Sequence, residues 1–509
     1  MAIRHIRSLV LALACLRDVS SVLGGQVQSS SITLPSDAGQ NRIAVNNILA
    51  DSWNSYLQFA FPQDDLIPTS KSGINDRNGW SATVVDALST LFVIGQDVVF
   101  ESAVNYTATI NFNLSSTAGT VSVFETTIRY IGGMLSAYEL SGNKYPALLS
   151  QAKILANKLS VAWVGSNAVP FPQVDFSRNQ PALFLSTVAE AGSLTLEWWK
   201  LAQYTGNDRY RQLAEKSVRH LIKLPAPIPG IPAQGINPSS GRSVGDFVTW
   251  GGGTDSYLEY LIKYARLTNT NDNVFADTWA TAVDSSMRIL ARTSTVGNHQ
   301  YVADLNSGRI SHVGSHLACF LAGNWLLGGK LLNNDTIVNF ALAANQACWN
   351  TYASTATGIG PEAFGYFSSD GTFTGTNPSR RDIDFYNKHG FFILPGDTFY
   401  DMRPEVLESN FYAWRVTGDT KYYQRAVSAT NSFKTFLKAP AAYSPINNVN
   451  SPNSGFMGHM ESFWFAEVLK YLYLTFDDPS RFSLDDYVFN TEGHLFKAPA
   501  AKPVYGVAN

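Results

Sequence analysis

Apolar side chains recur every three to four positions through most of the chain. After Trp80, for example, Val84, Leu88, Leu91 and Phe92 share one helical face. Long stretches that alternate in the manner of a β-strand are scarce. The helix-like segments are punctuated by Gly142, Gly206, Asn269, Asn333 and Gly418, residue types that accept the left-handed backbone closing one helix before the next begins. Their separations of 64, 63, 64 and 85 residues predict a repeated helical hairpin with an insertion in the last interval. Between residues 41 and 475 the periodic segments number roughly fourteen, so seven hairpins fill nearly the whole chain. Prolines and glycines concentrate in 224–253 and 355–400, which read as loops gathered at one end of a closed all-α barrel. An open solenoid is the other way to stack such hairpins.

Composition narrows the class. With 509 residues, 45% of them apolar and 13% aromatic, the chain can bury a large core. Its 37 Lys plus Arg against 40 Asp plus Glu leave a formal net charge of −3, with no basic run to neutralise a phosphate backbone, so no nucleic-acid partner is expected. Arg4 and Arg7 precede an apolar run from Leu9 to Leu16, the length of a signal-peptide core and too short to span a bilayer. Residues 1–24 are therefore read as a signal peptide and 25–509 as one domain, a monomer without a membrane span, secreted or held in the lumen of the secretory pathway. Sequons at Asn105, Asn113 and Asn334 fit that route, whereas proline bars the Asn-Pro-Ser sites at Asn237 and Asn377. With Cys15 in the signal, Cys319 and Cys348 are a possible pair in an oxidising compartment; two buried thiols are the alternative.

Carboxylates interrupt otherwise apolar helices at Asp86, Glu125, Asp255 with Glu259, Glu405 with Glu408, Glu467 and Glu492. Such groups cost several kcal/mol to bury unpaired, so a core has no use for them. Glu125 and Arg129 stand four apart, which a structural ion pair would also explain. Proline precedes Glu405 as it would in a first helical turn, with Glu408 three residues on, where a carboxylate also answers the helix dipole. Glycoside hydrolysis needs one protonated carboxyl, one ionised carboxylate to activate water, and aromatic faces for sugar rings. A Walker A loop, a His-Glu-x-x-His helix, a nucleophile elbow and a cysteine cluster are all missing from the sequence, which removes the commonest nucleotide, zinc and serine-hydrolase readings. His316 taken alone reads as a satisfied core residue.

Taken together, Asn78-Gly79-Trp80 with Asp86, Phe124 to Arg129, Glu190 to Leu194, Asp255 to Tyr260, His316 to Phe320, Pro361-Glu362, Arg403 to Glu408, Glu461 to Glu467 and Asn490-Thr491-Glu492 resemble the class I α-1,2-mannosidases, glycoside hydrolase family 47, especially the secreted fungal members. The resemblance covers about Asn78 to His494. It implies a barrel of seven αα-hairpins, (α/α)7, with small β elements at one end. It also implies an inverting, calcium-dependent exo-α-1,2-mannosidase that removes terminal mannose from high-mannose N-glycans. By the same resemblance Glu405 is the general base and Glu125 the general acid acting through a water, with Asp255 the rival acid. Calcium would be held by the carbonyl and hydroxyl of Thr491, and Phe463 would pack on the terminal sugar. Arg129 and Arg403 would orient the carboxylates, and Asp86, Glu259, His316, Glu362, Glu408, Glu467 and Glu492 would complete the sugar site.

Two departures from the family pattern bear on this expectation. The ending Thr-Glu-Ala-His-Pro reads Thr491-Glu492-Gly493-His494-Leu495, which affects how the calcium-binding threonine is held. Gly253 stands where members that remove a single mannose carry an arginine. The alternative from another class is a mannose-recognising, weakly active relative that assists glycoprotein degradation; such relatives lack the cysteine pair.

Overall fold

The computed structural model describes residues 25–117 and 119–506. The signal segment with Cys15 lies outside the described residues. Six helical hairpins follow one another, each turning through a residue in the left-handed region: Gly95, Gly142, Gly206, Asn269, Asn333 and Gly418, with φ between 48° and 80°. Five of these six are the turn residues read from the sequence. The first helix of each hairpin is buried almost all round. These are Ala82–Ile94, the composite helix from Val123 to Leu140, the pair Val188–Gly192 and Thr195–Thr205, Asp255–Thr268, Phe320–Leu331 and Glu405–Thr417. The second helix of each buries one stripe only. In Arg209–Leu221, for instance, Tyr210, Ala214, Ser217, Val218 and Leu221 face inward while Arg209, Arg211 and Lys216 do not.

The seventh hairpin joins the two ends of the chain. Its inner member is Trp464–Val468 running into Leu469–Phe476, and its outer member is Ala38–Phe59, the first helix described. Each inner helix packs on the next, and Leu469–Phe476 returns to Ala82–Ile94. The ring therefore closes, which decides for the barrel against the open solenoid. The insertion after Asn333 carries the helix Arg380–His389 and most of a satellite apolar cluster, in which its Phe364, Tyr366, Phe391 and Phe392 pack with Tyr301 from the preceding interval.

The strands are two or three residues long, and three of them end where inner helices or their first turn begin: Ser122 precedes Val123, Thr187 precedes Val188, and Ser315 lies two residues before the turn Leu317–Cys319. One β-hairpin enters the barrel. Tyr487–Phe489 pairs with Leu495–Lys497, and its tip reaches up the middle of the barrel. Asn490 donates to the Ile128 carbonyl at 3.0 Å, and His494 stands 3.0 Å from Asp86. Gly132 and Gly133 make room for it, because a Cβ at Gly132 would lie 2.7 Å from Asn490 Nδ2, and at Gly133 3.3 Å from the His494 ring.

Cys319, just before Phe320–Leu331, is bonded to Cys348 on the outer helix Asp335–Ala353, so the disulfide ties together one hairpin. The closed loop spans 29 residues of sequence separation, and removing it with a double alanine substitution is expected to cost about 3 to 4 kcal/mol of stability. Calorimetry reads that loss, and the intact mass of exported protein reads the bond; two free thiols would refute it. Asn105, Asn113 and Asn334 are all exposed. Among the described residues no helix is long and apolar enough to cross a membrane.

Candidate active site

Because the inner helices run the same way, their N-termini converge at one end of the barrel, and their positive dipole ends favour carboxylates there. Ser122 caps one of them, accepting a hydrogen bond from the Glu125 amide at 3.2 Å, and Thr187 forms a capping box with Glu190 on the next. Asp255 and Glu405 are each the first residue of an inner helix. These side chains open into a cavity of about 390 Å³. Glu125, Arg129, Asp255, Arg403, Glu405, Phe463, Glu467, Thr491 and Glu492 all line it.

Ion pairs fix the orientation of these groups. Arg129 Nε donates to Glu125 at 2.7 Å, a second nitrogen of the same guanidinium donates to Glu492, and the group lies 3.6 Å from Asp86 and 5.5 Å from the centre of the Phe463 ring. Glu125 immediately precedes a π-helical segment, Thr126–Ile131, that contains Arg129, and Glu467 lies in another, Trp464–Val468. The wider π-turn re-aims side chains, a device common at working sites. His316 stands 2.7 Å from Glu405 and 2.8 Å from Tyr352, and Arg403 donates to Glu362 at 2.8 Å.

The protonation states divide. Burial would raise Glu125, but Arg129 and Arg77 hold it below the usual carboxylate range. Glu405 is likewise low: burial would raise it, but His316 and Arg403 together hold it down. Asp255 is pushed up to about 7 by burial, against the Ser256 amide and with the help of Glu259 and Glu405. Burial also lifts Glu408 and Glu467 well above the ordinary value, with neighbouring carboxylates adding to it. A cavity floor so rich in carboxylate asks for a cation.

The residues present fit calcium. Neither the hydroxyl nor the carbonyl of Thr491 has a hydrogen-bond partner among the described residues, although its amide donates to Tyr260 at 3.3 Å. The Glu467 carboxylate has no hydrogen-bond partner among the described residues either. The donor set is oxygen only, as a hard divalent ion prefers. Gly493, the departure noted above, has φ 69°, and the turn is held without alanine: Asn490 Oδ1 accepts from the amides of Glu492 and His494 at 2.9 and 2.8 Å.

Several residues expected at the sugar site stand behind it. Asp86 lies beneath Arg129, bonded to Ser462 and His494; Glu259 and Glu408 flank Lys263 one turn below the floor; His316 and Glu362 back Glu405 and Arg403. Reasoning from the sequence missed Glu197, pushed up to about 7 by burial and hydrogen-bonded to Tyr260 and Asn490. It also missed Lys263 and Lys470. Lys470, pushed down to about 7 by burial, donates to the Gly493 carbonyl at 2.6 Å. A cation inside an apolar inner helix was the available signal for both.

A closed αα barrel whose mouth sets ionised carboxylates opposite a protonated one, beside arginines and an aromatic face, defines a glycoside hydrolase. The family model for glycosyl hydrolase family 47 matches residues 48–498, and the chain belongs to that family. It is 37% identical to the probable mannosyl-oligosaccharide alpha-1,2-mannosidase 1B of Aspergillus niger, over 96% of this chain and 98% of that one. The mannosyl-oligosaccharide alpha-1,2-mannosidase 1B of Aspergillus phoenicis is 36% identical over the same shares. The solved alpha-1,2-mannosidase from Trichoderma reesei superposes with a TM-score of 0.87 at 36% identity, covering 91% of this chain and 99% of that one.

Proposed function

We propose that the chain is a calcium-dependent, inverting exo-α-1,2-mannosidase that trims high-mannose N-glycans after export, as a monomer whose single catalytic domain is 25–509. The observation that carries this reading is that one cavity is lined by carboxylates in opposed settings, Glu405 against His316 and held low, Asp255 buried and pushed up to about 7. Glu405, steadied by His316, takes a proton from the water that attacks the anomeric carbon. Phe463 gives the terminal sugar an apolar face, backed by Arg129. Calcium at Thr491 would supply divalent charge to hold sugar hydroxyls at the floor.

Of the two acid candidates, Asp255 holds the proton that the leaving oxygen needs, while Glu125 is kept ionised by its arginines. Activity should therefore fall as the pH rises through about 7, where Asp255 loses that proton. Asp255→Asn should lose roughly 10²–10⁴-fold on glycan yet recover on an aryl mannoside with an activated leaving group, which needs no acid. Recovery in Glu125→Gln and not in Asp255→Asn would reverse the assignment.

Gly253 bears on breadth. Its φ of 87° and the Gln234 amide, 2.7 Å from where a Cβ would stand, suit glycine and leave no arginine to fix one glycan branch. Timed digestion of a nine-mannose glycan is expected to run through eight-mannose isomers to a five-mannose product. No release from α-1,2-linked substrates would sink the functional reading, and a single eight-mannose end point would sink the broad specificity.

A further inference from the structure

Beside the cavity lies a cluster that the reaction above does not use. Asp65 begins the strand Asp65–Ile67 and is fully buried. Thr83 donates to its Oδ1 at 2.7 Å, but its Oδ2 has no hydrogen-bond partner. That oxygen faces Nε2 of His459 at 3.8 Å, and Asp76 Oδ2 and Glu461 Oε1 each stand 2.9 Å from the same nitrogen. Neither of those two oxygens lies along the ring N–H direction, so Nε2 is buried without a hydrogen bond despite their closeness. A protonated ring would offset part of the charge and still leave Asp65 Oδ2 without a donor.

Ligands of one shared ion show this pattern. Two atoms, each about 2.0–2.2 Å from a metal and roughly 90–110° apart around it, stand about 3.0–3.5 Å from each other, with neither on the other's lone-pair axis. The charge agrees as well. Three carboxylates face one guanidinium, since Arg77 donates to the other oxygen of Glu461 at 3.1 Å, and with a neutral imidazole a divalent ion closes the balance. We propose that Asp65, Asp76 and His459 form a second metal site, separate from Thr491 and with the Glu461 carboxylate beside it, that takes a divalent ion of the zinc type. Imidazole with carboxylate oxygens suits zinc, and the imidazole ligand disfavours calcium. Because Met460 already donates to the Leu66 carbonyl at 2.8 Å, an ion here would clasp the strand Asp65–Ile67 to the segment that leads through Glu461 to Phe463.

Cobalt(II) is a visible probe for such a site. Titrated into the full chain under saturating calcium, it should give a visible absorption that saturates at one equivalent and is bleached by zinc. In His459→Gln that absorption should vanish, and in Asp76→Asn binding should weaken by roughly 10-fold or more, with glycan hydrolysis retained in both as proof of folding. One equivalent of zinc should raise the Tm of the wild type by about 2–3 °C and leave that of His459→Gln unchanged. Absence of cobalt absorption in the wild type, or equal absorption in wild type and His459→Gln, overturns the proposal.

Discussion

Glu405→Gln is expected to lower kcat by about 10²–10⁴-fold while glycan binding stays within a few-fold of wild type. The amide is the size of the carboxylate and still meets His316, so the cavity keeps its shape, but it cannot take a proton from water. Turnover near the wild-type rate, measured beside a glycan titration, would remove Glu405 from the role of base. The pH profile offers a second reading of the same group. Glu405 is held below the ordinary carboxylate value, so the fraction of working base should persist as the pH falls through 4.5 and disappear only below it. Its contribution to stability has the same sign, being present above the unfolded value and lost as pH falls through the depressed folded one.

Removing calcium should abolish glycan hydrolysis and lower the melting temperature, by an amount that calcium alone restores. At a thousandfold excess over its Kd a ligand bound only to the folded state contributes about 4 kcal/mol. The effect should depend on pH in a particular direction. In the metal-free chain Glu408 and Glu467 sit well above their ordinary value, so the folded state takes up protons that the unfolded state does not. Such groups stabilise fully below the unfolded value near 4.5 and lose that contribution as pH rises towards their folded value. Chelated protein should therefore melt progressively earlier as pH rises from about 5, and calcium should rescue it most at the alkaline end. Scanning calorimetry with and without chelator measures this, and full activity in protein proved metal-free by elemental analysis would refute the requirement.

The arrangement also explains why so many buried charges are tolerated. Lys263 lies between Glu259 and Glu408, Lys470 reaches the backbone of the hairpin tip, and Arg129 answers Glu125, Asp86 and Glu492 together. Lys263 and Arg129 each satisfy carboxylates from more than one element of the barrel, so its floor is a network, and truncating one member leaves charges without a partner.

By itself the sequence determined the helical period and five of the six left-handed turns that end inner helices, because a residue's backbone preference and the face it presents depend on neighbours within a turn or two. It also marked carboxylates that the fold brings to the cavity, since Asp255, Glu405 and Glu467 break apolar stripes that have no use for charge. It could not tell which of them hold protons, which stand behind the cavity, or that π-turns carry Glu467 and the arginine paired with Glu125. Those outcomes rest on partners far away in the chain: His494 meets Asp86 across 408 residues, Glu492 meets Arg129 across 363, and His316 meets Glu405 across 89. Only ring closure brings seven helix N-termini to one place and lets the tip around Thr491 rise between them. Protonation followed from that closure, because desolvation and the field of neighbouring charges act through space, and local periodicity carries no record of what the fold will set beside a given residue.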